Sequence, residues 1–191
     1  MKLSLVRIAP MAGLALSLLM ASAVAQAQNV KLATSMGDIV VELNAKAAPK
    51  TVDNYLQYVK AGHYDGTVFH RVIDGFMIQG GGMTKDLSEK PTRAPIPLES
   101  RNGLRNERGT LAMARTSDPN SATAQFFINL KDNAFLDAQN SPDGSGYAVF
   151  GKVTKGMDVV DRIRAVPTGN AGMHQDVPKT PVLITKATVE K

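Results

Sequence analysis

The sequence predicts a mainly β domain, in which many short antiparallel strands are accompanied by two helices. Short segments with alternating apolar residues recur between turn residues; in residues 38–43, Ile39, Val41 and Leu43 share one face. Only two segments place apolar residues at helical spacing instead. The length of 191 residues favours one domain. A closed antiparallel barrel capped at its ends fits these observations, although composition alone does not distinguish it from a sandwich.

The domain begins with a predicted hairpin and a helix. Residues 30–34 and 38–43 are predicted strands on either side of Met36-Gly37. Pro49 suits the first turn of a helix, because an N–H at that position would have no partner within the helix. The helix ends before Gly62 and carries its apolar residues on one face, at Val52, Tyr55, Leu56 and Val59. We therefore expect this helix to cover an apolar surface.

The next two predicted strands, residues 68–72 and 76–79, are joined by the Asp74-Gly75 turn. The glycines at 80–82 follow them. Since no helix start or Gly-Lys-Ser/Thr sequence comes after these glycines, they indicate close backbone packing rather than a phosphate loop. Residues 83–106 show no periodicity and are interpreted as a long irregular loop.

Further strands and the second helix are predicted after this loop. Met157, Val160 and Ile163 lie at helical spacing, and Pro167 ends that helix. Residues 139–146 are rich in turn residues and form a loop. The remaining strands are residues 111–115, 126–130, 148–153 and 182–189.

The N-terminal segment has the organisation of a secretory signal peptide. Lys2 and Arg7 give it a positive start, and residues 14–20 form a short apolar run. That run is shorter than the about 20 residues needed to span a bilayer, so we expect no stable membrane association. Small residues predict cleavage after Ala25 or Ala27. Residues 1–27 are thus predicted to be removed, leaving a domain of residues 28–191.

Composition argues against several classes of partner and chemistry. Without Lys2 and Arg7 the formal charge falls from +5 to +3, and the remaining basic residues are scattered. Nucleic-acid binding requires a continuous basic stripe, so none is expected. The chain has no cysteine, and its three histidines lie outside metal-ligand spacing. We therefore expect neither a metal nor another cofactor.

Residues 69–81 are the most informative stretch of the chain. They contain one arginine, two large apolar side chains and one amide, at Arg71, Phe76, Met77 and Gln79. On two strands joined by a tight turn, these side chains can converge on one surface. An apolar floor, a planar cation and an amide suit a neutral peptide containing proline better than a metal, phosphate or sugar.

Four further segments follow in order: residues 109–115, 124–129, 135–137 and 147–153. Together the five segments resemble the cyclophilin family of peptidyl-prolyl cis-trans isomerases, and especially its bacterial periplasmic members. The resemblance runs from about Val30 to about Glu190. It implies an eight-stranded barrel capped by two α-helices, with a packed interior and a substrate site on the outer face. It also implies a monomeric, cofactor-free enzyme that isomerises X-Pro bonds during the folding of exported proteins in the periplasm.

The resemblance also implies roles for individual residues. Arg71, Phe76 and Gln79 are expected to be catalytic, with Arg71 donating a hydrogen bond to the prolyl nitrogen. Alternation requires Phe126 and Phe127 to face opposite ways, and the family pattern assigns Phe127 to the site. Gln79 and Gln125 are expected to fix the peptide backbone and brace Arg71. The predicted substrate-binding residues are Met77, Ala114, Arg115, Gln125, Phe127, Phe135, Leu136 and Tyr147.

Three residues depart from the best-known eukaryotic pattern of the family. Phe135, Tyr147 and Arg115 stand where many relatives carry tryptophan, histidine and asparagine. Because Phe135 lacks an indole N–H, we expect weak binding of cyclosporin A.

Two other interpretations compete with an isomerase. A peptide-binding module would not need a lone-pair donor, so Arg71 argues against it. A structural role for Arg71, as the partner of a carboxylate such as Asp74 in an ion pair, is the alternative to its catalytic role. A hydrolase would need a nucleophile with its base, and the sequence shows no Ser-His-Asp or Cys-His arrangement.

Overall fold

Eight strands close into an antiparallel barrel in a computed structural model that describes residues 28–190. The predicted signal peptide and its cleavage sites lie outside the described residues. The elements in chain order are β1 (Gln28–Thr34), β2 (Gly37–Leu43), α1 (Pro49–Lys60), β3 (Thr67–Ile73), β4 (Met77–Thr84), β5 (Thr110–Met113), β6 (Phe126–Asn129), a 3₁₀ helix (Ala134–Leu136), β7 (Val149–Lys155), α2 (Met157–Arg164), β8 (Thr168–Ala171), β9 (His174–Pro178) and β10 (Leu183–Glu190). The barrel order is β1-β10-β3-β4-β6-β5-β7-β2, closed by pairing of β2 with β1, and β8 and β9 form a separate two-stranded sheet.

The barrel interior is filled by large apolar side chains. Phe69, Phe126 and Phe150 are fully buried there, since every second residue of each strand points inward. Both helices add their apolar faces to the same core, α1 through Tyr55 and α2 through Ile163. Neither helix within residues 28–190 is long and apolar enough to cross a bilayer. The predicted barrel with two helices is therefore confirmed.

The glycines that follow Gln79 lie inside β4 rather than at its end, so the predicted end of this strand was too early. A Cβ on Gly81, which has φ of 87°, would lie 2.9 Å from the Phe126 and Tyr64 rings. A Cβ on Gly82 would overlap the side chain of Gln125. The predicted close packing of these glycines is confirmed. Because they lack side chains, β4 can continue past Gln79 in contact with Phe126, Tyr64 and Gln125.

The β8–β9 hairpin was not predicted. Its strands are short, and most of their side chains are half-buried or exposed, so the hairpin gives no apolar alternation. Its two-residue turn, Gly172-Met173, has Gly172 at φ of 59°, as a tight hairpin turn requires. The hairpin lies against β3 on the outside of the barrel.

Candidate active site

Arg71, Gln79 and Phe127 lie side by side on three neighbouring strands. Arg71 is in register with Gln79 between β3 and β4, and Gln79 is in register with Phe127 between β4 and β6. Residues directly opposite one another in an antiparallel pair share a face. The three side chains therefore form one row across the sheet.

This row faces away from the barrel interior. Phe126 belongs to the main core, whereas Phe127 packs into a separate apolar cluster with Met77, Leu136 and Val149. Adjacent residues of a strand point to opposite faces, so β6 supplies a ring to each side of the sheet. The prediction that Phe126 and Phe127 face opposite ways is confirmed, and the role of Phe127 in binding substrate stays a prediction.

A pocket of about 120 Å³ opens over this second cluster. Its walls contain most of the residues predicted from the sequence: Arg71, Phe76, Met77, Gln79, Ala114, Arg115, Phe127, Leu136 and Tyr147. The other two lie close by. Gln125 accepts a hydrogen bond from the Gln79 side-chain amide at 2.9 Å. Phe135 is 50% exposed and stacks on Phe76, with 5.6 Å between ring centroids.

The carboxylate nearest to Arg71 is Asp176, at 3.9 Å from Arg71 Nε, and not Asp74. Asp74 instead pairs with Arg164 of α2, because the β3–β4 turn leans towards that helix. Asp176 lies on β9 with φ of 58°, in the left-handed region that residues other than glycine rarely adopt. Both partners of the Arg71 pair are partly exposed, so solvent weakens the pair and the guanidinium remains available to a substrate.

The Arg115 guanidinium donates hydrogen bonds to other groups of the protein. Its Nε donates to the carbonyl of Gly146 at 2.9 Å, its Nη1 to that of Thr116 at 2.9 Å, and its Nη2 to Asp143. The side chain is only 4% exposed, and its guanidinium lies 4.6 Å from the centre of the Tyr147 ring. Arg115 therefore lines the pocket mainly by holding Tyr147 in place.

Asp143 anchors the other end of this arrangement. Hydrogen bonds from the backbone N–H of Ser145 and from Arg115 hold the pKa of Asp143 well below its usual range. The carboxylate thus stays charged and fixes the loop before β7. Tyr147 in turn packs edge-on against Phe127, with 5.6 Å between ring centroids.

A buried polar network beneath the pocket was not predicted. The Asn133 side chain donates to the carbonyl of Phe76 at 2.9 Å and to Asn129 Oδ1 at 2.8 Å. Asn129 donates to Asn106 Oδ1, and the Asn106 amide donates to Asp137. These bonds tie the Phe76 turn to the 3₁₀ helix that carries Leu136. Asn129, inside the apolar segment 126–130, was the sequence signal for this network, whereas Asn106 and Asn133 stand among charged residues and gave none.

His70 precedes Arg71 on β3 and is buried, as expected for a structural residue. Burial is the largest of the effects that lower the pKa of His70 to about 4, and His174 and Arg71 act in the same direction. The imidazole is therefore neutral at physiological pH. The charge on this side of the site comes from Arg71.

The site combines a small apolar pocket, a cation at its edge and amides along its rim. An apolar pocket of this size accepts a compact ring such as that of proline. The Ala114 N–H is already donated to the Gln125 carbonyl, which leaves the Ala114 carbonyl as a backbone contact for a bound peptide. These features define a binding surface for an extended peptide that inserts one ring and places its backbone beside a guanidinium.

Comparisons with known proteins agree with this chemistry. The model of the family described as cyclophilin type peptidyl-prolyl cis-trans isomerase/CLD matches residues 29–189. The chain is 63% identical over 161 residues to the peptidyl-prolyl cis-trans isomerase cyp18 of Streptomyces antibioticus, covering 84% of this chain and 97% of that protein. It is 56% identical over 159 residues to peptidyl-prolyl cis-trans isomerase B of Escherichia coli, covering 83% of this chain and 97% of the relative.

A solved structure shows the same fold. A cyclophilin type peptidyl-prolyl cis-trans isomerase of Cryptosporidium parvum superposes with a TM-score of 0.70 at 27% identity, covering 86% of this chain and 98% of the other. This chain therefore belongs to the cyclophilin-type peptidyl-prolyl cis-trans isomerases, and is of the bacterial kind. Its reaction is cis–trans isomerisation of the bond before proline, and its substrates are proline-containing peptides.

Proposed function

We propose that this enzyme acts as a cofactor-free monomer on exported proteins as they fold in the periplasm, with Arg71 as its transition-state donor. The register of Arg71, Gln79 and Phe127 carries the proposal, because it puts the guanidinium beside the ring pocket. The signal-peptide pattern of residues 1–27 supports the location.

The mechanism follows from the bond that must rotate. Amide resonance gives the X-Pro bond a rotation barrier of about 18–20 kcal/mol. In the twisted state the prolyl nitrogen becomes pyramidal and gains a lone pair. Arg71 can donate a hydrogen bond to that lone pair, which hardly exists in the planar ground state. The interaction therefore favours the transition state selectively.

The other residues hold the peptide while the carbonyl before proline turns. Phe127, Met77 and Leu136 grip the proline ring, since they form the floor of the pocket. Gln125 and the Ala114 carbonyl lie where they can hold the peptide backbone on one side of the ring. Phe76 is fixed through its carbonyl by Asn133 and closes the opposite wall.

Two experiments test the proposal. NMR exchange spectroscopy on an Ala-Pro peptide measures isomerisation by the domain of residues 28–191, and amide shifts of Ala114, Gln125 and Phe127 report where the peptide binds. Peptide binding without exchange would favour the peptide-binding module.

The location is tested by fractionating a Gram-negative host that expresses the full chain. We expect the enzyme in the periplasm, with a mass that begins after Ala25 or Ala27. Retention of Met1 in the periplasmic protein, or recovery only in the cytoplasm, would contradict export by a cleaved signal.

A further inference from the structure

A second cavity, of about 340 Å³, opens directly beside the proline pocket. Arg71 and Gln79 line both spaces, so a peptide bound in the proline pocket lies next to the opening of the second cavity. The remaining walls of the second cavity come from the barrel and from the β8–β9 hairpin: His70, Met83, Gln125, Met173, His174 and Gln175. No residue of the proposed mechanism other than Arg71, Gln79 and Gln125 belongs to it.

The hairpin forms the outer wall of this cavity. β9 runs along β3, and Asp176 of β9 lies against Arg71 through their ion pair. The hairpin turn carries Met173, whose side chain is 97% exposed although it is large and apolar. An apolar side chain held at the rim of a cavity can cover a guest that enters.

The lining favours an aromatic guest. Two thioethers face the space, from Met83 and Met173, and thioether sulfur makes favourable contacts with aromatic rings. The Arg71 guanidinium can also lie over a ring face. Burial keeps His70 neutral through its lowered pKa, so it adds no charge that would select an acidic group. Gln79 donates to Gln125 in this wall, which leaves the Gln79 side-chain carbonyl and the Gln125 amide nitrogen to meet the peptide backbone.

We propose that this second cavity is a flanking subsite, which binds the aromatic side chain of a substrate residue close to the isomerised proline. The inference rests on the proposed function and adds a preference to it. The β8–β9 hairpin would thus be a specificity element of the enzyme, and Met173 and His174 its determinants.

The experiment compares kcat/KM for matched peptides. One peptide has alanines around an Ala-Pro unit. Others carry one phenylalanine or one glutamate, at the second position before proline or at either of the two positions after it. The enzyme variants are Met173→Ala with His174→Ala, and a control, Met36→Ala. Met36 lies in the β1–β2 turn, next to Arg162 of α2.

We expect one phenylalanine peptide to exceed the alanine peptide by about two- to tenfold, the range that a sulfur–aromatic contact provides. The hairpin variant should bring this ratio close to one, and Met36→Ala should leave it intact. In the unaltered enzyme the phenylalanine peptide should also shift the ¹³C-methyl resonance of Met173 and not that of Met36.

A phenylalanine preference that survives in the hairpin variant would overturn the inference, as would its absence at every position. A gain that depends on the hairpin and is as large for the glutamate peptide would show a subsite that does not select aromatic side chains. This outcome would equally overturn the inference. Turnover of the alanine peptide distinguishes failure of the subsite inference from failure of the proposed function. An enzyme without the proposed activity would turn over none of the peptides.

Discussion

Glu99 closes the N-terminus of α1 through Thr51. Glu99 Oε2 accepts hydrogen bonds from the Thr51 backbone N–H at 2.8 Å and from Thr51 Oγ1 at 2.7 Å, and Oε1 accepts from the Lys50 N–H at 3.2 Å. Ala48 stands at the N-cap and offers no side-chain acceptor. A residue of the long irregular loop therefore supplies the cap that the helix itself lacks, and its negative charge also suits the helix dipole.

Glu99→Ala should lower the free energy of unfolding by about 1–2 kcal/mol, as removal of a helix cap does. Glu99→Gln should lose less, because it keeps an acceptor but not the charge. Urea denaturation measures both losses. Glu89→Ala is the control, since Glu89 is an exposed residue of the same loop. Equal effects of Glu99→Ala and Glu89→Ala would show that the cap contributes nothing.

Arg71→Ala should reduce kcat by about 10²–10³ while the barrel stays folded, because it removes one preorganised transition-state donor. Arg71→Lys should restore only part of the loss, since an ammonium lacks the planar fork. The control is Arg164→Ala: Arg164 is 42% exposed against 43% for Arg71, and it also pairs with an aspartate. Steady-state kinetics measure kcat and KM for each variant, and circular dichroism checks that each variant is folded. A folded Arg71→Ala protein with near-normal kcat/KM would rule out the lone-pair mechanism.

Phe127→Ala should affect KM, whereas Arg71→Ala should affect mainly kcat. It removes a wall of the pocket and so weakens ground-state binding, which means that KM should rise more than for Arg71→Ala. Phe126→Ala removes the neighbouring ring from the barrel core and should instead cost about 3–5 kcal/mol of stability. Steady-state kinetics and urea denaturation of the two variants separate the effects. An unchanged KM for Phe127→Ala would place the proline ring elsewhere.

Cyclosporin A should bind weakly, and Phe135→Trp should tighten its inhibition by about one to two decades while changing turnover little. The indole N–H offers a donor that phenylalanine lacks, and an unpaired buried acceptor costs about 1–3 kcal/mol. Phe135 is half exposed at the rim, so the larger ring has room. Inhibition constants for Phe135→Trp and for Phe135→Leu, which adds no donor, test this. Equal constants for the two variants would refute the explanation.

Stability should fall in mild acid because of His70. Its folded-state pKa of about 4 lies below the unfolded value of 6.5, so the unfolded state takes up the proton first. The contribution of His70 is complete above pH 6.5 and is lost as the pH falls towards 4, with about 2 kcal/mol gone by pH 5. Urea denaturation at pH 7 and pH 5 should show a smaller difference for His70→Gln. An identical pH dependence in the variant would contradict the assignment.

Local patterns were sufficient to predict most strands and both helices, and the family resemblance predicted the barrel and most of the residues that line the pocket. Arg71 and Gln79 are separated by a tight turn, so their pairing follows from strand register within one short segment. Phe126 and Phe127 are neighbours, so alternation alone sends them to opposite faces. The five ordered motifs resemble the cyclophilin family, and this resemblance implied a barrel rather than a sandwich, which composition could not do.

Contacts made from far along the chain could not be predicted in this way. Asp176 reaches Arg71 from a polar hairpin that lacks periodicity, and Asp74, the nearer choice in sequence, pairs with Arg164. Glu99 caps α1 from inside an irregular loop. Their partners are fixed by how the elements pack in three dimensions, and polar exposed segments leave little trace of that packing in the sequence.

Phe69, Phe126 and Phe150 fill the barrel, so the candidate site of this enzyme lies on its convex exterior rather than in a chamber. A chamber selects its guests by size and has to admit and release each one whole. A pocket of about 120 Å³ on an exterior needs to reach only one ring and its nearest neighbours. A proline on an exposed loop of a folded protein therefore meets the same steric requirement as a proline in a short peptide. If the proposed role in folding holds, the topology of the folding protein sets when its proline can be reached.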